Sequence, residues 1–299
     1  MRQFINVLIV TVFISSCGIQ KNMLETRQAL DDIQQLQEKE NLQLTAIAGT
    51  ADARLNEGKI DANVKERVTA KLDRFLAMND SAKKDAARID TLLEDKKSFR
   101  KNYKTMVVPL LDSLKKNGSK YAERLTLYMM IQEGLNIADY HLFDLAAFFG
   151  SGKYIIPDDK TDLALASFAP IIDSVVVFSN KYDTIPKTAT LIILGFADGA
   201  GFATEGPLYD TLITLIGKTQ VTKEELNLKL SELRAQELIK QLTKVFLQKA
   251  SLFRDIDKTK IEYIGQGKGE AYPLPTIKNY EVDDARRRIV LCYWSVLPD

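Results

Sequence analysis

Thr190-Leu191-Ile192-Ile193-Leu194 runs straight into Gly195-Phe196-Ala197-Asp198-Gly199-Ala200-Gly201. The first five residues are short, apolar and partly β-branched, the pattern of a buried strand. The glycines that follow mark a turn, and they bring a carboxylate, Asp198, to the end of that strand. Downstream, Thr222 with Glu225 three residues on forms a capping box that opens a helix. Leu226, Leu230, Leu233, Leu238, Leu242 and Val245 give that helix its apolar stripe. A second strand is expected around Ile261–Ile264, ahead of Gly265-Gln266-Gly267-Lys268-Gly269. Arg288-Ile289-Val290-Leu291-Cys292-Tyr293-Trp294 is a closing strand. Upstream, Leu165, Phe168, Ile172 and Val175 share one face of a further helix. The resulting order, β-α-β-α-β-β, is an α+β arrangement with helices covering one face of a small mixed sheet.

Four short segments in this half carry a family resemblance. Gly195–Gly201 is similar to a G-x-T-D-x-x-G turn, with Ala197 in place of threonine. Asn227-Leu228-Lys229-Leu230-Ser231-Glu232-Leu233-Arg234-Ala235 fits N-x-x-L-S-x-x-R-A at every fixed position. Gly269-Glu270-Ala271-Tyr272-Pro273 fits G-E-x-x-P, and Arg287-Arg288-Ile289 resembles R-R-V before the last strand. In this order they resemble the C-terminal domain of outer membrane protein A and of peptidoglycan-associated lipoprotein, over residues 143–299. The turn from Phe149 to Ile155 resembles the end of that family's first strand. The resemblance implies non-covalent binding of peptidoglycan through the diaminopimelate side chain of its stem peptide. It maps the ligand carboxylate onto Asp198 and the ligand guanidinium onto Arg234. Phe196, Asn227 and Arg287 form a second tier: Phe196 is equally a core residue, Asn227 a helix-start residue, and Arg287 part of a solvated basic edge. A pair between Asp198 and Arg234 themselves is the alternative to ligand binding.

The chain departs from the family in three further places. Arg286 stands where asparagine is usual, and Gly152 where some members carry a ligand-contacting asparagine. The connection from Gly201 to Leu226 is long and contains Tyr209, Leu212, Leu215 and Ile216, enough for an extra helix over the site.

Residues 17–142 read as amphipathic helices of a bundle or stalk. Ile60, Val64, Val68, Leu72, Phe75 and Leu76 make one stripe, and Asn79-Asp80-Ser81 is expected to break it and cap the next helix. Ala82, Ala86, Ile89 and Leu93, then Tyr103, Met106 and Leu110, then Tyr121, Leu125, Tyr128 and Met129, continue the pattern. Leu24–Ile47 is polar with sparse apolar positions, which fits a spacer or a short coiled coil. This half is a candidate docking surface for an envelope partner.

Residues 1–16 read as a signal peptide. Arg2 precedes an apolar stretch, Phe4–Ile14, shorter than the roughly 20 residues that span a bilayer. Ile14-Ser15-Ser16-Cys17 resembles the lipobox of bacterial lipoproteins, with Cys17 the residue to be acylated. With no aspartate after Cys17, the resemblance implies an outer-membrane location facing the periplasm.

Composition narrows the chemistry. The chain has 299 residues with 41 basic and 40 acidic side chains, a net charge of +1 that offers no field for a nucleic acid. The two cysteines, Cys17 and Cys292, build no disulfide framework. The one histidine, His141, has no partner at ligand spacing, so no metal or other cofactor is expected. No H-E-x-x-H, Cys/His pair or nucleophile elbow is present, which argues against an enzyme such as a wall hydrolase. The alternative to wall binding is a lipid-anchored scaffold whose C-terminal domain has lost or changed that activity. Cys17→Ser should release the chain from the membrane fraction or leave its leader uncleaved; normal fractionation and processing would refute lipidation.

Overall fold

The computed structural model describes residues 2–144, 148–149, 153–199, 205–218, 220–273, 279–282 and 284–299. Side chains are described from residue 18 onward, apart from those of Tyr140, Asp144 and Ala285. The chain divides into two compact units, residues 1–49 with 67–129, and residues 50–66 with 130–299.

The first unit is helical. It draws on α1 (Arg2–Asn56), α2 (Ala62–Glu94), α3 (Lys96–Asn102), α4 (Val108–Ser119) and α5 (Tyr121–Ile137), with one π-turn, Tyr103–Val107, between α3 and α4. Leu30 and Ile33 of α1 join Ala82, Ala86, Ile89 and Leu93 of α2, with Phe99, Val107, Leu111 and Leu114, in one core. The sparse apolar positions of α1 therefore meet a full stripe on α2, which is how a polar helix is held. The expected break at Asn79–Ser81 is absent, and α2 runs through it. Asn79 is buried and donates to Asn41 Oδ1 on α1 (3.2 Å), so its amide bonds across to another helix instead of capping its own. The break comes at Asp95, whose carboxylate accepts from the backbone N–H of Lys97 and Ser98 and caps α3.

The second unit is the α+β part. Its elements are β1 (Tyr140–Asp144), α6 (Thr161–Lys181), β2 (Lys187–Gly195), α7 (Pro207–Ile216), α8 (Lys223–Lys249), β3 (Thr259–Gly267) and β4 (Ile289–Pro298). The strands lie in the order β1-β4-β2-β3, antiparallel except for the parallel pair β2–β3 bridged by α7 and α8. The first strand ends at Asp144, upstream of the expected Phe149–Ile155 turn, of which residues 150–152 lie outside the described set.

Phe168, Ile171, Ile172 and Val175 of α6 and Leu238, Leu242 and Val245 of α8 pack on Ala189, Leu191 and Ile193 of β2 and on Val290, Cys292, Trp294 and Val296 of β4. The helix at Asp158–Lys181 is long and apolar enough to cross a membrane by composition; here its apolar face fills this core. The opposite side of β4 (Ile289, Leu291, Tyr293, Ser295, Leu297) is buried too, so the central strands are covered on both faces rather than one. Their sequences are continuous apolar runs, not alternating ones, as two-sided burial requires. At Gly134 of α5 an added Cβ would lie 3.3 Å from the Val296 carbonyl oxygen, so that helix approaches the strand backbone closely.

The contact that sets the geometry lies at the ends of β2 and β3. Gly195 and Gly267 are register partners, and the backbone of α8 rests on both. A Cβ at Gly195 would overlap the Ser231 carbonyl, and one at Gly267 would lie 2.6 Å from the Leu228 carbonyl oxygen. The Ser231 hydroxyl donates to Leu228 O (2.8 Å) and accepts from the N–H of Gly269 (3.0 Å), stitching helix to turn. Gly269 has φ +54, a left-handed conformation that glycine adopts without strain.

Two outcomes test this packing. Gly195→Ala should cost about 3 kcal/mol or more in denaturant unfolding, since the helix must lift off the sheet. Gly49→Ala, a helical position where an added Cβ meets nothing within 4 Å, should be neutral or gain up to about 1 kcal/mol. The Cys292 thiol is fully buried, which pushes its pKa up to about 12. It should resist iodoacetamide at pH 8 until denaturant is added, and rapid native labelling would contradict the two-sided burial of β4.

Candidate peptidoglycan-binding site

The capping box expected at Thr222 is formed in both directions. Glu225 N–H donates to Thr222 Oγ1 (3.3 Å), and Thr222 N–H donates to Glu225 Oε2 (3.0 Å). This fixes where α8 begins and hence its rotation. Asn227, Ser231 and Arg234 fall at i, i+4 and i+7, on one face. Ser231 meets the glycine pair, so Asn227 and Arg234 are carried to either side of it, beside the turns that follow β2 and β3. Those turns are joined to each other and to β4: Ala197 N–H donates to Gly269 O (2.7 Å), Lys268 N–H to Gly195 O (2.8 Å), and Phe196 N–H to Ile289 O (3.0 Å).

Arg234 is 6% exposed. Its Nε donates to the Lys153 carbonyl (3.2 Å), and its guanidinium carbon lies 5.8 Å from the centre of the Phe149 ring. Burial lowers its pKa to about 10, against the pull of the Asp198 carboxylate and with the push of the Arg288 cation. At neutral pH it therefore remains a guanidinium, held close to one carboxylate and one like charge. Asp198 is 8% exposed and pairs with Arg288 (Nε–Oδ2 3.0 Å), whose side chain is half exposed. Three charges thus meet at one end of the sheet, two cations and one anion. That balance suits a ligand carrying a carboxylate, and Asp198 adds an acceptor for an ammonium on the same ligand.

Asn227 is buried, and its Nδ2 donates to Glu270 Oε1 (2.7 Å). The same carboxylate oxygen lies 3.5 Å from Lys223 Nζ, which also donates to the Gly199 carbonyl (3.0 Å). Arg287 is buried and spent on main-chain carbonyls: Nη1 donates to Glu281 (3.2 Å) and Val282 (3.0 Å), and Nη2 to Glu270. It staples the G-E-x-x-P turn to the segment before β4. Phe196 is buried beneath the turn that holds Asp198. Arg286, in the family's asparagine position, makes a close pair with Asp284 (Nε–Oδ2 2.9 Å) and pulls that carboxyl down to about 2.

Sequence reading offered Arg234 as the alternative partner of Asp198, whereas the ion pair is made by Arg288, and it gave no role to Glu270 or Lys223. Arg288 was quoted inside the Arg287-Arg288-Ile289 segment without a site role of its own. Glu270 was quoted inside a motif, but its link to Asn227 spans 43 positions and has no local signal.

The long connection contains a helix, as expected. Residues 201–204 and 219 of it, like Ala200 and Gly152, lie outside the described set. Leu212 of α7 is buried against Leu226 and Leu230 of α8, with Tyr154, Leu208, Ile213, Ile216 and Leu233 around them. This small core uses the stripe of α8 next to the Asn227–Ser231–Arg234 face. The Cys17 side chain also falls outside the described set, and the Cys17 backbone is part of α1.

No family model matches the chain, and no curated protein does. Among solved structures, the chain is similar to the periplasmic domain of Helicobacter pylori MotB, at 13% identity and TM-score 0.29 over 52% of this chain and 74% of that one. A second MotB periplasmic-domain structure matches at 13% identity and TM-score 0.28, over 54% of this chain and 63% of that one. A third structure, again from Helicobacter pylori MotB, matches at 14% identity and TM-score 0.27, over 52% and 72%.

Proposed function

We propose that residues 143–299 bind peptidoglycan non-covalently, without catalysis, by gripping the diaminopimelate side chain of the stem peptide. In this reading Cys17 carries lipid in the outer membrane, so the protein tethers membrane to wall. The helical unit then serves as spacer or as docking surface for an envelope partner. The observation that carries the reading is the convergence of Asp198, Arg234 and Arg288 at one end of the sheet, with Arg234 buried at a cost.

Diaminopimelate ends in an ammonium and a carboxylate on one carbon. Arg234 is planar and fixed between Phe149 and the Lys153 carbonyl, ready to clamp the carboxylate through two N–H groups. Asp198 accepts from the ammonium. Arg288 is half exposed and can turn toward solvent to leave Asp198 to the ligand.

Full-length chain should pellet with sacculi. Asp198→Ala and Arg234→Met should each weaken that binding at least about thirtyfold, the lower end of the roughly 2–5 kcal/mol lost with one partner of a desolvated charged pair. Unchanged pelleting in both variants would sink the assignment and favour the scaffold reading. Arg234→Met has a second readout. Burial depresses the folded pKa of Arg234, so the unfolded chain holds that proton more tightly. The penalty is full at pH 7 and fades only as pH passes about 10. Removing the cation leaves Asp198 paired with Arg288. The thermal midpoint should therefore hold or rise at pH 7, and a large fall would mean Arg234 serves the fold instead of a ligand.

A further inference from the structure

Tyr272 is 63% exposed, a degree that no other aromatic side chain reaches among the described residues. It is not loose. Its ring lies parallel to that of Tyr280, 10° apart with centroids separated by 5.4 Å. The Arg287 guanidinium carbon sits 5.0 Å from the Tyr272 centroid, and that of Arg286 sits 5.4 Å from Tyr280. Two polar groups within this cluster are buried with no hydrogen-bond partner, the Tyr280 hydroxyl and Arg287 Nε. A ring held against a second ring and a guanidinium yet left this open is not part of a core. It has the character of a contact surface, where aromatic side chains give large area at small entropic cost.

The position of this surface is set by the turn that carries the polar cluster. Tyr272 follows Glu270 by two residues, and the Glu270 side chain accepts from Asn227 on the Asn227–Ser231–Arg234 face. The Arg287 that stacks on Tyr272 also donates to the Glu270 carbonyl. The ring is therefore tied to the Gly269–Pro273 turn, which Ala197 N–H joins through the Gly269 carbonyl (2.7 Å) to the turn that carries Asp198.

We infer that the Tyr272–Tyr280 pair is a saccharide platform, a subsite for the N-acetylated hexosamine strand from which stem peptides branch. The inference rests on the wall-binding reading. A pyranose presents a face of C–H bonds that packs on an exposed aromatic ring, as Tyr272 offers beside the turn that carries Asp198. A stacked nucleic-acid base is disfavoured, because the chain's net charge of +1 supplies no field for a polyanion and Arg286 is already neutralised by Asp284. One domain would then read two parts of a single polymer, the zwitterion on the peptide and the C–H face of the sugar.

Calorimetric titration of full-length chain with two separate probes tests this. One probe is a linear tetramer of N-acetylglucosamine, and the other is the stem tripeptide ending in diaminopimelate. The tetramer should bind the unaltered chain, and Tyr272→Ala should weaken it at least tenfold while tripeptide affinity stays within twofold. Tyr272→Phe, which keeps the ring, should retain tetramer binding. Asp198→Ala should do the reverse, losing the tripeptide and keeping the tetramer. A chain that binds tripeptide but not tetramer overturns the platform and leaves the peptide site standing. A chain that binds tetramer but not tripeptide supports the platform and overturns the peptide reading. Loss of both probes in Tyr272→Ala overturns the platform, since the ring would then be supporting the cluster itself.

Discussion

The close approach of α8 to the paired glycines Gly195 and Gly267 is the constraint on which the C-terminal unit depends. Helix and sheet normally keep a side-chain layer between them. Here, at one end, backbone meets backbone, and the Ser231 hydroxyl fills the remaining space with two hydrogen bonds. Ala235, fully buried, continues the contact one turn on, with its Cβ 3.8 Å from where a Cβ at Gly265 would sit. This anchors the helix along its axis and in rotation at the point where the strands end. The backbone positions of Asn227 and Arg234 are thereby set, and the Glu270 carboxylate and the Lys153 carbonyl then hold their side chains. The motif positions that look functional by their chemistry are thus held in place by neighbours that carry none.

The second requirement is electrostatic. A guanidinium as buried as Arg234 lowers stability unless something compensates, and Asp198 compensates only in part because Arg288 shares it. A fold selected for stability alone would place a hydrocarbon there. Arg287 is a contrast. It is equally buried and equally charged, but it satisfies three main-chain carbonyls and so holds two turns together. Of two neighbouring arginine roles in one motif set, one closes loops and the other is left with hydrogen-bonding capacity toward the cluster.

Much of this architecture was legible because it depends on local pattern. The capping box at Thr222, the stripe of α8, the apolar run of β2 and the helix inside the Gly201–Leu226 connection are all read within windows of a few residues. What escaped reading is non-local. Asn79 was expected to stop a helix because asparagine competes for backbone hydrogen bonds, but Asn41 on α1 takes its amide instead. The two-sided burial of β4 was present in its unbroken apolar run, whereas the expected arrangement had helices on one face of the sheet. The Asp198–Arg288 pair joins residues 90 positions apart in a region with three successive arginines, so spacing alone did not single out Arg288.

The helical unit follows the same logic with different groups. Glu40 on α1 is buried and accepts from Arg124 through both oxygens (2.5 and 2.9 Å) and from the Tyr128 hydroxyl (2.5 Å), while Arg124 Nη1 reaches the carbonyl and side chain of Asn117. Every charge in this knot has a geometric partner, so removing one member would strand the others in a dry interior, at a cost of about 3–5 kcal/mol. Hydrophobic stripes alone tolerate sliding of one helix past another by a turn. A buried carboxylate that must meet one arginine and one tyrosine does not, which gives α1, polar along most of its length, a single register against α5.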